Sequence, residues 1–201
     1  MDYKNYQTAR DFAWRALLQC NIRKLPVKVS YLCKQKGYRL YSYTEGIRHI
    51  KGFRLEEQCT RSDGFSTRFD DCYYIFYNPH MPVGRIRFTI AHEIGHIVLG
   101  HLNKQGAFTS QNREPGPADA PEEQMANVFA SRLLAPACVL NHVNATTPEQ
   151  IAAFCDISLQ SATYRAERLG VLQKRGKFCI SSLEREVYQR FLPFLHSLEK
   201  G

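Results

Sequence analysis

The chain has 201 residues, a length that suits one domain or one domain with an appendage. Its 27 basic and 19 acidic side chains give a net charge of +8, which favours acidic partners without making the chain a DNA-binding protein. No stretch approaches the length of a membrane span, and the first residues show no apolar signal segment. The seven cysteines are odd in number and lack a C-x-x-C pair, so we expect reduced thiols and a cytoplasmic location.

The part of the chain before residue 80 predicts helices followed by a small sheet. In chain order, the predicted elements are helices over residues 3–20 and 26–37 and strands over 38–43, 64–69 and 72–77. Asp70-Asp71 suits the turn between the last two strands, whereas residues 46–61 show no clear pattern. A strand between residues 64 and 77 is expected to hold an extended substrate segment by main-chain pairing.

The next stretch, residues 85–101, contains the motif His92-Glu93-x-x-His96 within a run of apolar residues at helical spacing. Residues four apart lie on the same face of a helix, so His92 and His96 can bind one metal ion. Glu93 then takes the place of the general base of a zinc peptidase. The alternative is a chance motif without metal, but two histidines and a carboxylate are costly to bury unsatisfied. Gly95 indicates a close approach of another backbone.

Catalytic zinc generally has three protein ligands and one open position. His101 lies about half a turn out of phase with His92, so we expect it at the helix end or behind a ligand. A polar loop of about twenty residues follows, a length typical of lids, binding loops or disordered segments. The helix predicted over residues 121–135 then offers Glu123 and Asn127 on one face. One carboxylate can bind zinc while Asn127 supports a ligand histidine. The alternative is that Glu122 and Glu123 only stabilise the start of the helix, but this does not explain the presence of Asn127.

The C-terminal part predicts further helices, over residues 148–155, 158–169 and 183–198. The first two, joined by Asp156-Ile157, resemble a helix-turn-helix, and residues 174–177 suit the turn of a small β wing. Helix pairs of this kind often serve only for packing. Glu167 also offsets Arg165 and Arg168, so we expect weak or no direct DNA binding.

Two motifs together resemble the ImmA/IrrE family of zinc metallopeptidases. They are RFTIAHEIGHIVLGH over residues 87–101 and ExxANxFAxxLLxP over residues 123–136. The resemblance extends from about residue 25 to about residue 195 and is most specific in this motif pair. One departure is Met125, which stands where many members of the family have a second acid.

The resemblance implies a ligand set of His92, His96 and Glu123 for Zn²⁺, with Glu93 as the catalytic base and Asn127 supporting a ligand. It also implies regulatory proteolysis of a helix-turn-helix repressor, in a mobile element or a stress response. The sequence does not identify the group that stabilises the oxyanion. No other cofactor is expected.

We interpret the chain as an α+β protein with two parts. Residues 1–140 are predicted to form a zincin-like metallopeptidase core with a small mixed or antiparallel sheet. Residues 141–201 are predicted to form a helix-turn-helix-like and C-terminal helical segment packed on that core. The leading hypothesis is a zinc metalloendopeptidase that cleaves a repressor. The alternative is a DNA-binding or protein-interaction regulator with a structural or sensory zinc, for which the base Glu93 would have no use.

Overall fold

The computed structural model describes residues 2–102, 108–112 and 120–200, and for 108–112 the backbone alone. The elements over these residues are, in chain order, α1 (Tyr3–Gln19), α2 (Val29–Lys36), β1 (Arg39–Ser42), α3 (Ile47–Gly52), α4 (Gln58–Arg61), β2 (Ser62–Phe69), β3 (Cys72–Tyr77), α5 (Val83–Val98), β4 (Phe108–Asn112), α6 (Pro121–Leu134), α7 (Ala137–His142), α8 (Pro148–Cys155), α9 (Leu159–Lys174) and α10 (Ser182–Leu198). The fold is thus α+β and mostly helical, as predicted.

The sheet is mixed, with strand order β1-β3-β2-β4. β1 runs parallel to β3, whereas β2 is antiparallel to both β3 and β4. Asp70 and Asp71 form the predicted turn between β2 and β3 with positive φ angles of 46° and 58°, as a two-residue hairpin turn of this kind requires. Because β2 and β3 each have a strand on both sides, the expectation that one of them pairs with a substrate is wrong. Among the four strands described, only β1 and β4 lie at an edge.

The two faces of the sheet contact different cores, because neighbouring side chains on a strand point to opposite faces. On one face, Phe65 of β2 packs with Phe76 of β3 and Ile50 of α3 in a small aromatic core. On the other face, Ser66 points toward α5 and hydrogen-bonds Glu93. β2 therefore runs directly beneath the helix that carries the His pair.

The main core lies among the helices. It includes residues that are fully buried on α1, α6 and α10, such as Leu17, Phe129 and Phe191. The core therefore continues across residue 140, where the sequence predicted a boundary between two parts. That division stays a prediction. None of the described helices is long and apolar enough to cross a membrane, and all seven cysteines are free thiols.

Most of the helices predicted from the sequence are confirmed, and the start of one is wrong. α2 begins at Val29 and not at Pro26, and it ends as predicted at Gly37, which adopts a left-handed conformation with φ of 73°. Two short helices, α3 and α4, form where the sequence showed no pattern. α7 was not predicted, because Pro136 ends α6 and then begins the next helix as its N-cap.

The C-terminal helices differ from the prediction at one place. α9 continues to Lys174, and residues 175–181 lead directly into α10, so the predicted β wing is absent from this described stretch. The long polar loop predicted after residue 101 falls largely on residues 103–107 and 113–119, which lie outside the described residues. β4, between these two segments, was not predicted.

Candidate metal centre

α5 buries the predicted motif completely. His92, Glu93 and His96 are 1%, 0% and 1% exposed. The four-residue spacing brings the two histidines together on one face, with their Nε2 atoms 3.0 Å apart. The two imidazoles therefore present their outer nitrogens to the same point in space.

Glu123 of α6 completes this group from the facing helix. Its Oε2 lies 3.1 Å from Nε2 of His92, and its Oε1 lies 3.2 Å from Nε2 of His96. Glu122 is exposed and stands outside the group of potential ligands, which consists of His92, His96 and Glu123. The facing helices thus bring together the three residues that the resemblance named as ligands.

Gly95 permits this arrangement because it lies where α5 and α6 approach each other most closely. A Cβ atom at position 95 would lie 3.1 Å from the ring of Phe129 and 3.2 Å from Cα of Ala126. Both contacts belong to α6, the helix that carries Glu123. The close backbone approach that Gly95 indicated in the sequence is therefore present.

The donor set suits a cation. Four-coordinate zinc with bonds of roughly 2.0–2.1 Å places neighbouring ligand atoms about 3.3 Å apart. The separations of 3.0, 3.1 and 3.2 Å between the three donor atoms come within a few tenths of an ångström of that value. Two imidazoles and a carboxylate that face one another repel unless a proton or a metal ion lies between them. The residues present therefore fit a zinc ion.

Two further residues contact the imidazole rings of His92 and His96 at Nδ1, the nitrogen that faces away from Glu123. Asn127 Oδ1 lies 3.0 Å from Nδ1 of His92, so this Nδ1 donates and the Nε2 of the neutral ring keeps its lone pair. Nδ1 of His101 lies 2.9 Å from Nδ1 of His96. If Nε2 of His96 binds a metal ion, the proton of the ring is on Nδ1, which must then donate the hydrogen bond to Nδ1 of His101. Burial and the nearby His96 lower the pKa of His101 to about 4, so His101 is neutral and can accept.

His92 and His96 stabilise the ionised form of Glu123. Burial raises the pKa of this carboxyl group. A proton on Nε2 of His92 or His96, which takes the place of a metal ion there, can be donated to Glu123, and these hydrogen bonds outweigh burial and keep the pKa well below its usual range. Glu123 is therefore a carboxylate at neutral pH, which is the form that binds metal.

Glu93 contacts a residue that sequence reasoning missed. Ser66 Oγ donates a hydrogen bond of 2.6 Å to Oε2 of Glu93, and both residues are fully buried. Nothing in the local sequence around Ser66 signals this contact, because it joins a strand to a helix across 27 positions of the chain.

The part of the chain beyond residue 141 contacts α5, the helix that carries His92, Glu93 and His96. Gly84 at the start of α5 lies so close to the α8–α9 turn that an added Cβ would approach Ser158 N to 2.7 Å. Arg87 of α5 donates hydrogen bonds to the carbonyl oxygens of Asp156 and Cys155, at 2.7 and 3.2 Å. The turn between these two helices is thereby fixed against α5.

The chain is an α+β protein in which a small mixed sheet lies beneath facing helices. Two histidines and a glutamate converge between these helices and could hold a metal ion. A family model for the IrrE N-terminal-like domain, peptidase family M78, matches residues 49–167. This match covers more than half of the chain, includes all three potential ligands and Glu93, and shows that the chain belongs to this family. M78 peptidases are metallopeptidases. A comparison with curated proteins found no match.

Proposed function

We propose that this chain is a zinc-dependent endopeptidase. The observation that carries the proposal is the convergence of His92, His96 and Glu123 with the buried carboxylate of Glu93 beside them. Zinc bound to the three ligands would make a water molecule more acidic and polarise the scissile carbonyl group. Such a centre would leave one position open, as catalytic zinc sites do. We further assign a zincin-like architecture to residues 1–140.

Residues of the chain itself transfer the proton and position the reacting groups. Glu93 accepts the proton of the attacking water and returns it to the leaving amine, the role of a general acid–base group. Ser66 orients the carboxylate of Glu93 through its short hydrogen bond. Asn127 and His101 hold the two ligand rings in the orientation that directs both Nε2 atoms toward the metal position.

The proposed substrate is a helix-turn-helix repressor, which the resemblance to the ImmA/IrrE family implies. A cleft beside the metal centre supports recognition of a folded protein. It has a volume of about 400 Å³ and lies between Phe88, Asn127 and the first turns of α9, including Tyr164. Tyr164 is 66% exposed, and exposed tyrosines are common at protein interfaces. A repressor substrate would place cleavage in the cytoplasm, in agreement with the free cysteines.

The test is cleavage of the repressor encoded beside this chain, with purified proteins and with the two chains co-expressed. We expect discrete fragments from a single cut. Glu93→Gln should retain zinc and slow cleavage by at least the roughly 10²- to 10⁴-fold that a general base contributes, because an amide cannot accept the proton. Glu122→Gln, which changes an exposed acid outside the site, serves as the matched control. Near-normal cleavage by the Glu93→Gln variant would overturn the role of Glu93.

A further inference from the structure

A second polar cavity lies away from the metal ligands. Its walls come from α1, α6, α9 and the segment that leads into α10, and its volume is about 260 Å³. None of the three ligand residues lines it, nor does Glu93. Six basic side chains line it: Arg10, Arg132, Arg165, Arg168, Arg175 and Lys177. The only acid among the lining residues is Glu184.

The most deeply buried of these side chains is Arg165 of α9, which is 1% exposed. Its Nε donates to the carbonyl oxygen of Ala135 at 2.7 Å. Its Nη1 and Nη2 are buried and have no acceptor among the described residues. A guanidinium remains protonated in proteins, so Arg165 points two donor nitrogens and a full charge into the interior without an acceptor.

Three other residues that line the cavity also have a buried donor nitrogen without an acceptor among the described residues. Nε1 of Trp14, Nε of Arg132 and Nε of Arg168 are also buried without an acceptor in the part of the chain that the structure describes. Together with the two nitrogens of Arg165, five buried donors belong to residues that line one cavity. A buried donor that lacks an acceptor destabilises a protein, and a charged donor does so more strongly than a neutral one.

The charge around the cavity is not balanced by the protein. Arg10 pairs with Asp11, but no acidic side chain of the described residues forms an ion pair with Arg132, Arg165 or Arg168. Glu184 accepts hydrogen bonds from the backbone N–H groups of Cys179 and Ile180, and its charge also interacts with Arg10 and Arg165. One carboxyl group therefore faces six basic side chains across the cavity. Burial, followed by the charge of Arg132, lowers the pKa of Arg165 well below its usual range.

Aromatic rings hold the guanidinium groups in position. The guanidinium of Arg168 lies 4.8 Å from the ring centre of Tyr6, and that of Arg132 lies 5.4 Å from it. Arg132 also donates to the hydroxyl of Tyr6 at 3.3 Å. These contacts restrain Arg132 and Arg168, and the hydrogen bond to Ala135 O restrains Arg165, so less conformational entropy is lost when a ligand binds.

We propose that this cavity binds a compact phosphate-bearing anion, either inorganic phosphate or a small phosphate ester. Phosphate oxygens accept hydrogen bonds from several directions, and arginine pairs with them in a forked geometry that supplies two donors at once. The cavity is smaller than the roughly 300–1,000 Å³ typical of sites for drug-sized ligands, which favours a compact ligand. The inference is independent of the proposed peptidase activity.

Thermal unfolding and calorimetric titration of the full chain test this site. The probes are inorganic phosphate and glycerol 3-phosphate, with sodium chloride at matched ionic strength as the control salt. We expect a saturable rise of the unfolding temperature with at least one phosphate probe and no saturable rise with chloride. Tighter binding of the ester than of phosphate assigns the site to an organic phosphate, and equal or weaker binding of the ester assigns it to free phosphate.

Variants show whether the cavity is responsible. Arg165→Met should abolish the saturable response. It should leave the unfolding temperature without phosphate unchanged or raised, because removal of a buried charge that lacks an acidic partner offsets the lost hydrogen bond to Ala135 O. Arg168→Gln should weaken binding at least tenfold and provides the same test if the Arg165 variant does not fold. Arg15→Met is the matched control, because Arg15 is exposed on α1 and does not line the cavity.

Two results would overturn the proposal. One is the lack of a saturable response to either phosphate probe in the unmodified chain. The other is an equal response in the unmodified chain, Arg168→Gln and Arg15→Met, which would show an adventitious ion only.

Discussion

At the scale of single residues, each histidine that we propose as a metal ligand is positioned by a neighbour from another segment. Asn127 fixes the ring of His92, and His101 fixes the ring of His96. Ser66 does the same for the carboxylate of Glu93. Such supporting contacts restrict the rotation of the functional groups and hold their lone pairs in the direction that metal binding or proton transfer needs.

The first prediction at this scale concerns the third ligand. Glu123→Gln should lower zinc affinity by more than the roughly 10- to 100-fold typical for the loss of a supporting residue, because it removes a charged donor from the metal itself. Glu122→Gln should leave the affinity unchanged, since Glu122 is exposed outside the group. Competition with a chromophoric chelator measures both. An equal or larger loss with the Glu122 variant would reverse the assignment.

The second prediction concerns Ser66. Ser66→Ala should retain zinc but lower kcat by roughly 10- to 150-fold, because hydrogen bonds to charged groups contribute about 1.5–3 kcal/mol. The pH dependence of kcat should also change, which a purely structural residue would not cause. Ser62→Ala is the matched control, since Ser62 lies on the same strand and its hydroxyl donates to Gln58 O. An unchanged kcat and pH profile in Ser66→Ala would exclude a role in positioning Glu93.

At the scale of secondary-structure elements, the metal centre depends on the contact between α5 and α6. The two histidines lie on one helix and Glu123 on the other, so the ligand geometry varies with the distance between the helix axes. Gly95 sets that distance, because any side chain there would meet Phe129 and the backbone of Ala126. The packing of two helices thereby determines whether three donors reach one metal ion.

The third prediction tests this contact. Gly95→Ala should lower both zinc affinity and stability, because its Cβ would press on Ala126 Cα and the Phe129 ring at 3.2 and 3.1 Å and displace α6. Gly170→Ala is the control. Position 170 in α9 has no atom within 4 Å of an added Cβ, so this change should raise stability by up to about 1 kcal/mol through helix propensity. Chemical denaturation and zinc titration measure both effects. Unaltered zinc binding in Gly95→Ala would show that α6 tolerates the displacement.

At the scale of the whole molecule, the net charge of +8 and the α8–α9 helix pair raise the question of DNA binding. Arg165, which the sequence placed on a possible recognition helix, is 1% exposed and donates to Ala135 O in the protein interior. It is therefore not available to a phosphate backbone. Tyr164 and Leu159 on the same helix are exposed apolar groups, at 66% and 54%, which suits contact with a protein.

The fourth prediction follows from the burial of Arg165 and the exposure of Tyr164 and Leu159. We expect only weak, sequence-independent binding to duplex DNA that decreases steeply with salt, because such binding depends on phosphate contacts. Cleavage of the repressor should persist in a mixture without DNA. A salt series of duplex binding and a parallel cleavage assay measure the two properties. Tight, sequence-selective binding with the repressor left intact would favour the alternative regulator over the peptidase.

The features that depend on local spacing could be predicted from the sequence alone. The four-residue interval of His92 and His96 places two imidazoles on one helix face in any fold that keeps the helix. Asp70 and Asp71 are residue types that favour the turn conformation they adopt, and Gly37 ends α2 for the same kind of reason. Glu123 was preferred to Glu122 on two grounds, its four-residue spacing from Asn127 and its place in a motif that resembles a family.

The remaining features required the tertiary structure, because they join residues that are distant along the chain. The contact between Ser66 and Glu93 depends on how β2 lies beneath α5, and the strand order removes β2 and β3 as partners for a substrate. Arg165 illustrates the same limit. The sequence placed it on a possible recognition helix, whereas the fold buries it near Arg132 with its Nε on Ala135 O. Local periodicity determines which face of a helix a residue occupies, and only the packing of that helix against its neighbours determines what the face meets.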